Sequence, residues 1–206
     1  MALSNYESMR NKMRAEFLKY DQERMLRRFL LEGDKDYIYI DFMQRRYRIG
    51  RRTGVVERSC GGFSSAVEAD YDESMTIYDL LCFPSDGHAL SGRYCPVNRL
   101  EGTVVSAGSG SEMFQRAADR FCGRADELRR ACLTFGENAG MSGDVAVKIY
   151  PFSFLPVILQ FWGADEEFTA RLKFMVDENT LQFMHYETIF FMLGHIVRRL
   201  EEMTGS

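Results

Sequence analysis

The stretch GDVAVKIYPFSFLPVILQFWGADEEFTARLKFMVDENTLQFMHYETIFFMLGHIVRRL, Gly143 to Leu200, decides how this chain is read. Val145, Val147 and Ile149 face one way while Ala146, Lys148 and Tyr150 face the other, the two-residue period of a strand with two different sides. Leu155 to Trp162 is apolar almost throughout, as a strand covered on both faces would be, and Trp162 is expected to point inward. Phe168, Ala170, Leu172, Phe174 and Val176 alternate with polar neighbours to give a third strand. From Tyr186 the period lengthens, and Ile189, Phe190, Leu193, Val197 and Leu200 form one stripe of a closing helix over 186–202. Three strands over 144–150, 155–162 and 168–177 should form an antiparallel meander, with that helix against it.

Working outward, the same logic applies to the first third. Met9, Met13, Phe17, Tyr20, Met25 and Phe29 recur at helical steps, with a break near Asp21, which can cap a second helix. Between residues 36 and 58 the period falls to two, giving a first meander. A helix starting at Ser74 or Thr76 should run through Leu81. Further helical stretches follow Ser111 and hold Leu128 to Phe135, with Gly136 as the stop. Strands and helices in separate runs, without βαβ alternation, indicate an α+β fold in which two β-meanders build antiparallel sheet flanked by helices. The expected organisation is one domain over 1–206, with a basic subregion over 1–60.

Composition limits the function classes. The chain has 206 residues, 26 basic and 30 acidic side chains, net charge −4 and 46% hydrophobic residues, values that exclude a disordered or coiled-coil protein. The first residues lack the apolar core of a secretory signal, and no window supplies the roughly 20 apolar residues of a membrane span, so a cytoplasmic location is expected. Cys60, Cys82, Cys95, Cys122 and Cys132 have no metal-ligand spacing, which predicts reduced thiols and neither bound zinc nor an iron–sulfur cluster. Residues 1–60 carry 14 basic and 9 acidic side chains, centred on RRYRIGRR, Arg45 to Arg52. Arginines interleaved with tyrosine can track phosphates and stack bases, which makes this segment an RNA-binding candidate, whereas an exposed hairpin explains the same residues without a ligand. The overall acidic balance speaks against a dedicated nucleic-acid binder.

LLCFPSDGHALSGRY, the GDVAVKIYPF strand and the WGADEEF hairpin resemble a bacterial and archaeal family known only as a domain of unknown function. The resemblance covers Thr76 to Leu200. Some members of that family carry a cysteine-rich iron–sulfur segment similar to that of corrinoid proteins, which implies a link to one-carbon or corrinoid metabolism. This chain lacks the four-cysteine cluster. The resemblance brings no catalytic residues with it, and no cofactor is assigned.

Several constellations can carry chemistry. Cys82, His88 and Cys95 are soft ligands close in sequence but lack a fourth partner. AGSGSEMF, Ala107 to Phe114, can hold an anion at a helix start, or Ser109 and Glu112 can form a capping box. Asp165, Glu166 and Glu167 are the dense acidic cluster, expected in a solvated hairpin turn with Arg198 and Arg199 as ion-pair partners. The long segment over 83–102 holds the leading ligand-binding candidates, His88, Ser91, Gly92, Arg93 and Tyr94. Ser91-Gly92 offers main-chain donors at a sharp turn, Arg93 a fork for carboxylate or phosphate, and Tyr94 a flat apolar contact. A ligand-binding or accessory domain without catalysis, taking a small anionic ligand or a protein partner, is the leading expectation. The alternative is a small enzyme built on His88, Arg93 and an acidic residue, and a structural variant has Arg93 paired with an acid to pin the loop.

Overall fold

In the computed structural model, residues 5–84, 87–100 and 109–205 are described. They contain two compact units, one formed by residues 1–88 and 182–192 and the other by residues 89–181 and 193–206.

The first unit opens with α1 (Asn5–Phe17) and α2 (Gln22–Phe29), separated where the sequence breaks; Asp21 caps α2, its carboxylate accepting the Arg24 N–H at 3.0 Å. The first meander consists of β1 (Tyr37–Phe42), β2 (Arg45–Gly50) and β3 (Val56–Arg58), extended by β4 (Val67–Glu68) into a four-stranded antiparallel sheet in the order β1-β2-β3-β4. The β1–β2 turn is made by Met43 and Gln44, both at positive φ, the primed geometry that matches strand twist. Helix α3 (Tyr71–Cys82) begins earlier than expected. Asp70 accepts the Glu73 N–H and Glu73 accepts the Asp70 N–H, a reciprocal cap that fixes the start ahead of Ser74.

The second unit is built on the second meander. Strands β7 (Val145–Phe152), β8 (Leu155–Trp162) and β9 (Arg171–Asp177) pair antiparallel, flanked by β6 (Gly136–Asn138) and β5 (Tyr94–Pro96) in the order β5-β9-β8-β7-β6. The α+β class and both meanders are therefore present, as two separate antiparallel sheets. Helices α4 (Ser109–Phe121) and α5 (Ala125–Thr134) pack on β9 and β7, and Phe114 meets Phe174 with ring centroids 5.3 Å apart. The chain ends in α6 (Tyr186–Thr204), whose C-terminal half joins α4 through Arg120–Glu201 and the start of α5 through Arg124 to the Thr204 carbonyl. Phe174 and Leu193 are both fully buried.

Four expectations are corrected here. Gly136 does not stop the helix, which ends at Thr134; it opens β6, where a Cβ would lie 1.9 Å from the Lys148 carbonyl oxygen. Phe168 is exposed rather than inward, because Asp165 accepts the Glu167 and Phe168 N–H groups and holds the chain in a turn until Arg171. Trp162 lies on the face opposite the helices, since Phe161 before it is fully buried and strand side chains alternate. The long segment over 83–102 is not irregular throughout: Tyr94–Pro96 pairs with Met175–Asp177 as β5.

Candidate ligand site

The face of the five-stranded sheet opposite α4 and α5, helix-free among the described residues of its unit, is fixed by pairing register. Tyr94 opposes Asp177, Met175 opposes Ile158, Ile158 opposes Lys148, Lys148 opposes Glu137, Lys173 opposes Gln160, and Arg171 opposes Trp162. Each of these side chains projects away from the Val145, Val147, Leu159, Phe161 and Phe174 side that packs under the helices. The face thus carries Lys148, Lys173 and Arg171 with Tyr94, Tyr150 and Trp162; Arg171 is exposed and the others are half-buried.

Lys148 is its centre. The ammonium lies 5.7 Å from the Tyr94 ring centroid and 5.5 Å from that of Tyr150, although β5 and β7 are separated by two strands. The Tyr150 hydroxyl donates to Glu137 at 2.6 Å. Desolvation works against the lysine charge, but the two phenols outweigh it and its pKa lies above the ordinary value. Lys148 is accordingly a fixed positive charge at neutral pH, suited to holding an anion and unsuited to nucleophilic attack.

At one end of this face lies the loop the sequence singled out. Ser91 N and Gly92 N donate to the two oxygens of Asp177 at 2.9 and 2.8 Å, the Ser91 hydroxyl donates to Asp177 Oδ1 at 3.1 Å, and Asn179 N donates to the same oxygen at 2.9 Å. The main-chain donors expected to be accessible are occupied by this wholly buried carboxylate. Arg93 is 78% exposed and pairs with Glu178 at 2.6 Å, and the Glu178 N–H donates to the Arg93 carbonyl. Of the five sequence candidates, Ser91, Gly92, Arg93 and Tyr94 are in this unit. His88 belongs to the other, with its ring against Phe183 and Phe29.

The first unit contains a histidine–carboxylate pair that is not among the sequence candidates. His185 stands immediately before α6, and Asp79 on α3 grips it twice: Oδ2 accepts the His185 N–H at 2.7 Å and Oδ1 meets the ring Nδ1 at 2.6 Å. The carboxylate is nearly buried, the imidazole side chain is 61% exposed, and the Phe83 ring packs 3.9 Å from it. A carboxylate on Nδ1 leaves Nε2 as the available position. Nothing in the spacing of residues 79 and 185 announces this meeting, because it depends on where α3 ends and α6 begins.

The other candidates resolve differently. In RRYRIGRR, Tyr47 is fully buried and donates to Glu73, while Arg46 pairs with Asp41 and Glu32, Arg48 with Glu57, Arg51 with Glu23 and Arg52 with Asp36. Those arginines are spent on their own unit, and its tyrosine is no stacking platform. Burial raises the Tyr47 phenol far above its ordinary pKa, with Glu73 adding to the effect. Asp165 to Glu167 form the expected exposed turn, whereas Arg199 pairs with Glu202. The five thiols are free, with Cys82 and Cys132 buried. The anion site at Ala107 to Phe114 reaches outside the described residues, and the Ser109 side chain of the expected cap is not among those described. Among the described residues, no helix is long and apolar enough to cross a membrane.

Residues 21–199 match the family model of DUF3786, a domain of unknown function. The chain belongs to this family. No curated protein and no solved structure matches the chain. The DUF3786 match takes in every strand of both sheets and α6 as far as Arg199, so the candidate face lies wholly inside the family region.

Proposed function

We propose that this DUF3786 domain is a non-catalytic binding or accessory module that takes a small anionic ligand on the helix-free face of its five-stranded sheet. The observation that carries this is Lys148 between Tyr94 and Tyr150, a charge held in place by two aromatic rings. Tyr94 is retained from the sequence candidates as the flat contact, and Ser91-Gly92 holds the rim in shape through Asp177. Lys148 replaces Arg93 as the principal anchor, because Glu178 already neutralises the arginine. The resemblance to a family some of whose members carry an iron–sulfur segment similar to that of corrinoid proteins supports an accessory place beside one-carbon chemistry. Thermal melting with inorganic phosphate tests the site. Phosphate should raise the melting temperature of the natural chain, and Lys148→Met should abolish the rise while leaving the ligand-free value nearly unchanged. A rise of equal size in the variant would refute the assignment.

A second reading is favoured by one observation, the Asp79–His185 pair. An imidazole oriented by a buried carboxylate is the acid–base half of many enzymes, which would transfer the enzyme alternative from His88 to His185. If that reading holds, His185→Gln should eliminate a turnover detected by substrate screening without lowering the melting temperature.

A further inference from the structure

Resting on the anion site at Lys148, we propose that its natural ligand is a nitrogen heteroaromatic anion of the nucleoside monophosphate class, with its ring against Trp162 and its anionic end at Lys148. Three observations beyond Lys148 lead there. Trp162 lies half-buried on the same face, two rungs of the ladder from Lys148. Gln160, between them, is only 3% exposed; its Nε2 donates to the Ser142 carbonyl at 2.8 Å, which fixes Oε1 as an acceptor with no partner. A buried acceptor without a donor is costly unless a ligand completes it, and an exocyclic amine or ring N–H on a base edge is such a donor.

The third observation is polarity along the face. Lys173, opposite Gln160, and Arg171, opposite Trp162, make no ion pair among the described residues. The acidic turn Asp165 to Glu167 follows Trp162 by three residues. Both ends of the face thus carry mixed charge, since Glu137 opposes Lys148, and it is the Trp162 ring that places the ligand's ring at that end and its charged end at Lys148. Along the strand direction, the Gln160 rung and the Lys148 rung are two residues apart, roughly 7 Å. That span suits a base and its 5′-phosphate. Lys173 is the cross-strand neighbour of Gln160, and its flexible stem lets it yield to a ring approaching Gln160.

Trp162 is the one tryptophan of the chain, so its fluorescence reports the ring site directly. The full chain should be titrated with inorganic phosphate, phenyl phosphate and adenosine 5′-monophosphate, following Trp162 emission and melting temperature. Adenosine monophosphate should quench Trp162 saturably and bind at least about tenfold more tightly than inorganic phosphate, because stacking and one buried hydrogen bond are added. Gln160→Leu should remove most of the preference for the nucleotide over phenyl phosphate while leaving phosphate-induced stabilisation intact. If that variant does not fold, the comparison of the three ligands on the natural chain still decides. Phosphate stabilisation without any nucleotide preference would overturn the heteroaromatic assignment and leave the anion site standing. No stabilisation by any of the three would remove both. An acidic hexapeptide that displaces phosphate more effectively than the nucleotide would assign the face to a protein partner and likewise overturn the proposal.

Discussion

Asp177 and Arg93 look alike in sequence as halves of charged pairs, yet their surroundings give them very different weights. Asp177 is fully buried and accepts three backbone N–H groups and one hydroxyl, so Asp177→Ala orphans several donors and should cost on the order of 2–4 kcal/mol in urea unfolding. Arg93 is mostly exposed and should cost no more than about 0.5 kcal/mol when replaced by alanine. Equal losses for the two variants would contradict this account of the loop. Sequence reading found the loop and proposed an acidic clamp for Arg93, which Glu178 supplies. It did not find Asp177 as the organiser, because a carboxylate at the end of an apolar strand carries no local mark of the amides that fold back on it from residues 91 and 92. Lys148 was legible only as the polar side of an alternation; its tyrosine neighbours come from a strand 54 residues earlier and from its own strand, and register alone brings them together.

At the scale of elements, period was a sound guide to strands and helices and a weaker one to their ends. The meander over β7 to β9 and the stripe on α6 follow from alternation and helical spacing, whereas the start of α3 was set by the Asp70–Glu73 cap and the start of β9 by the Asp165 turn. Gly136 shows how one residue can be right in importance and wrong in role. It sits where β6 meets β7, and a methyl group there would run into the Lys148 backbone, which cannot yield without shifting the strand. Gly136→Ala should therefore lower stability by about 2 kcal/mol or more and weaken phosphate binding through displacement of Lys148. Calorimetry of the variant with and without phosphate would measure both effects, and an unchanged melting temperature would contradict the β6–β7 register.

For the whole molecule, the α+β class and the two meanders were legible in the sequence, while the division into two sheets depended on which strands find each other. The ionisable groups with strongly altered surroundings share one sign. Desolvation pushes the Cys82 and Cys132 thiols up to about 12 from an ordinary value near 9, and burial likewise raises the Tyr47 and Tyr78 phenols. Each is neutral in the fold and ionises more readily in the unfolded chain. The contribution of the two thiols to stability is complete below pH 9 and is lost as the pH rises from about 9 to about 12, while that of the two phenols starts to fall only above pH 10. The melting temperature should hold from pH 7 to 9 and then fall steadily, with Cys60 and Cys122 reacting with thiol reagents at pH 8 while Cys82 and Cys132 do not. A melting temperature constant up to pH 11 would contradict this.

The central claim, an anion site on the helix-free face of the five-stranded sheet, is tested most directly by amide chemical shifts during a titration with inorganic phosphate. Saturable shifts should concentrate on Tyr94, Lys148, Tyr150 and their ladder neighbours Met175 and Ile158, and should vanish in Lys148→Met. Absence of saturable shifts on these strands, or shifts gathered instead around Asp79 and His185, would contradict it.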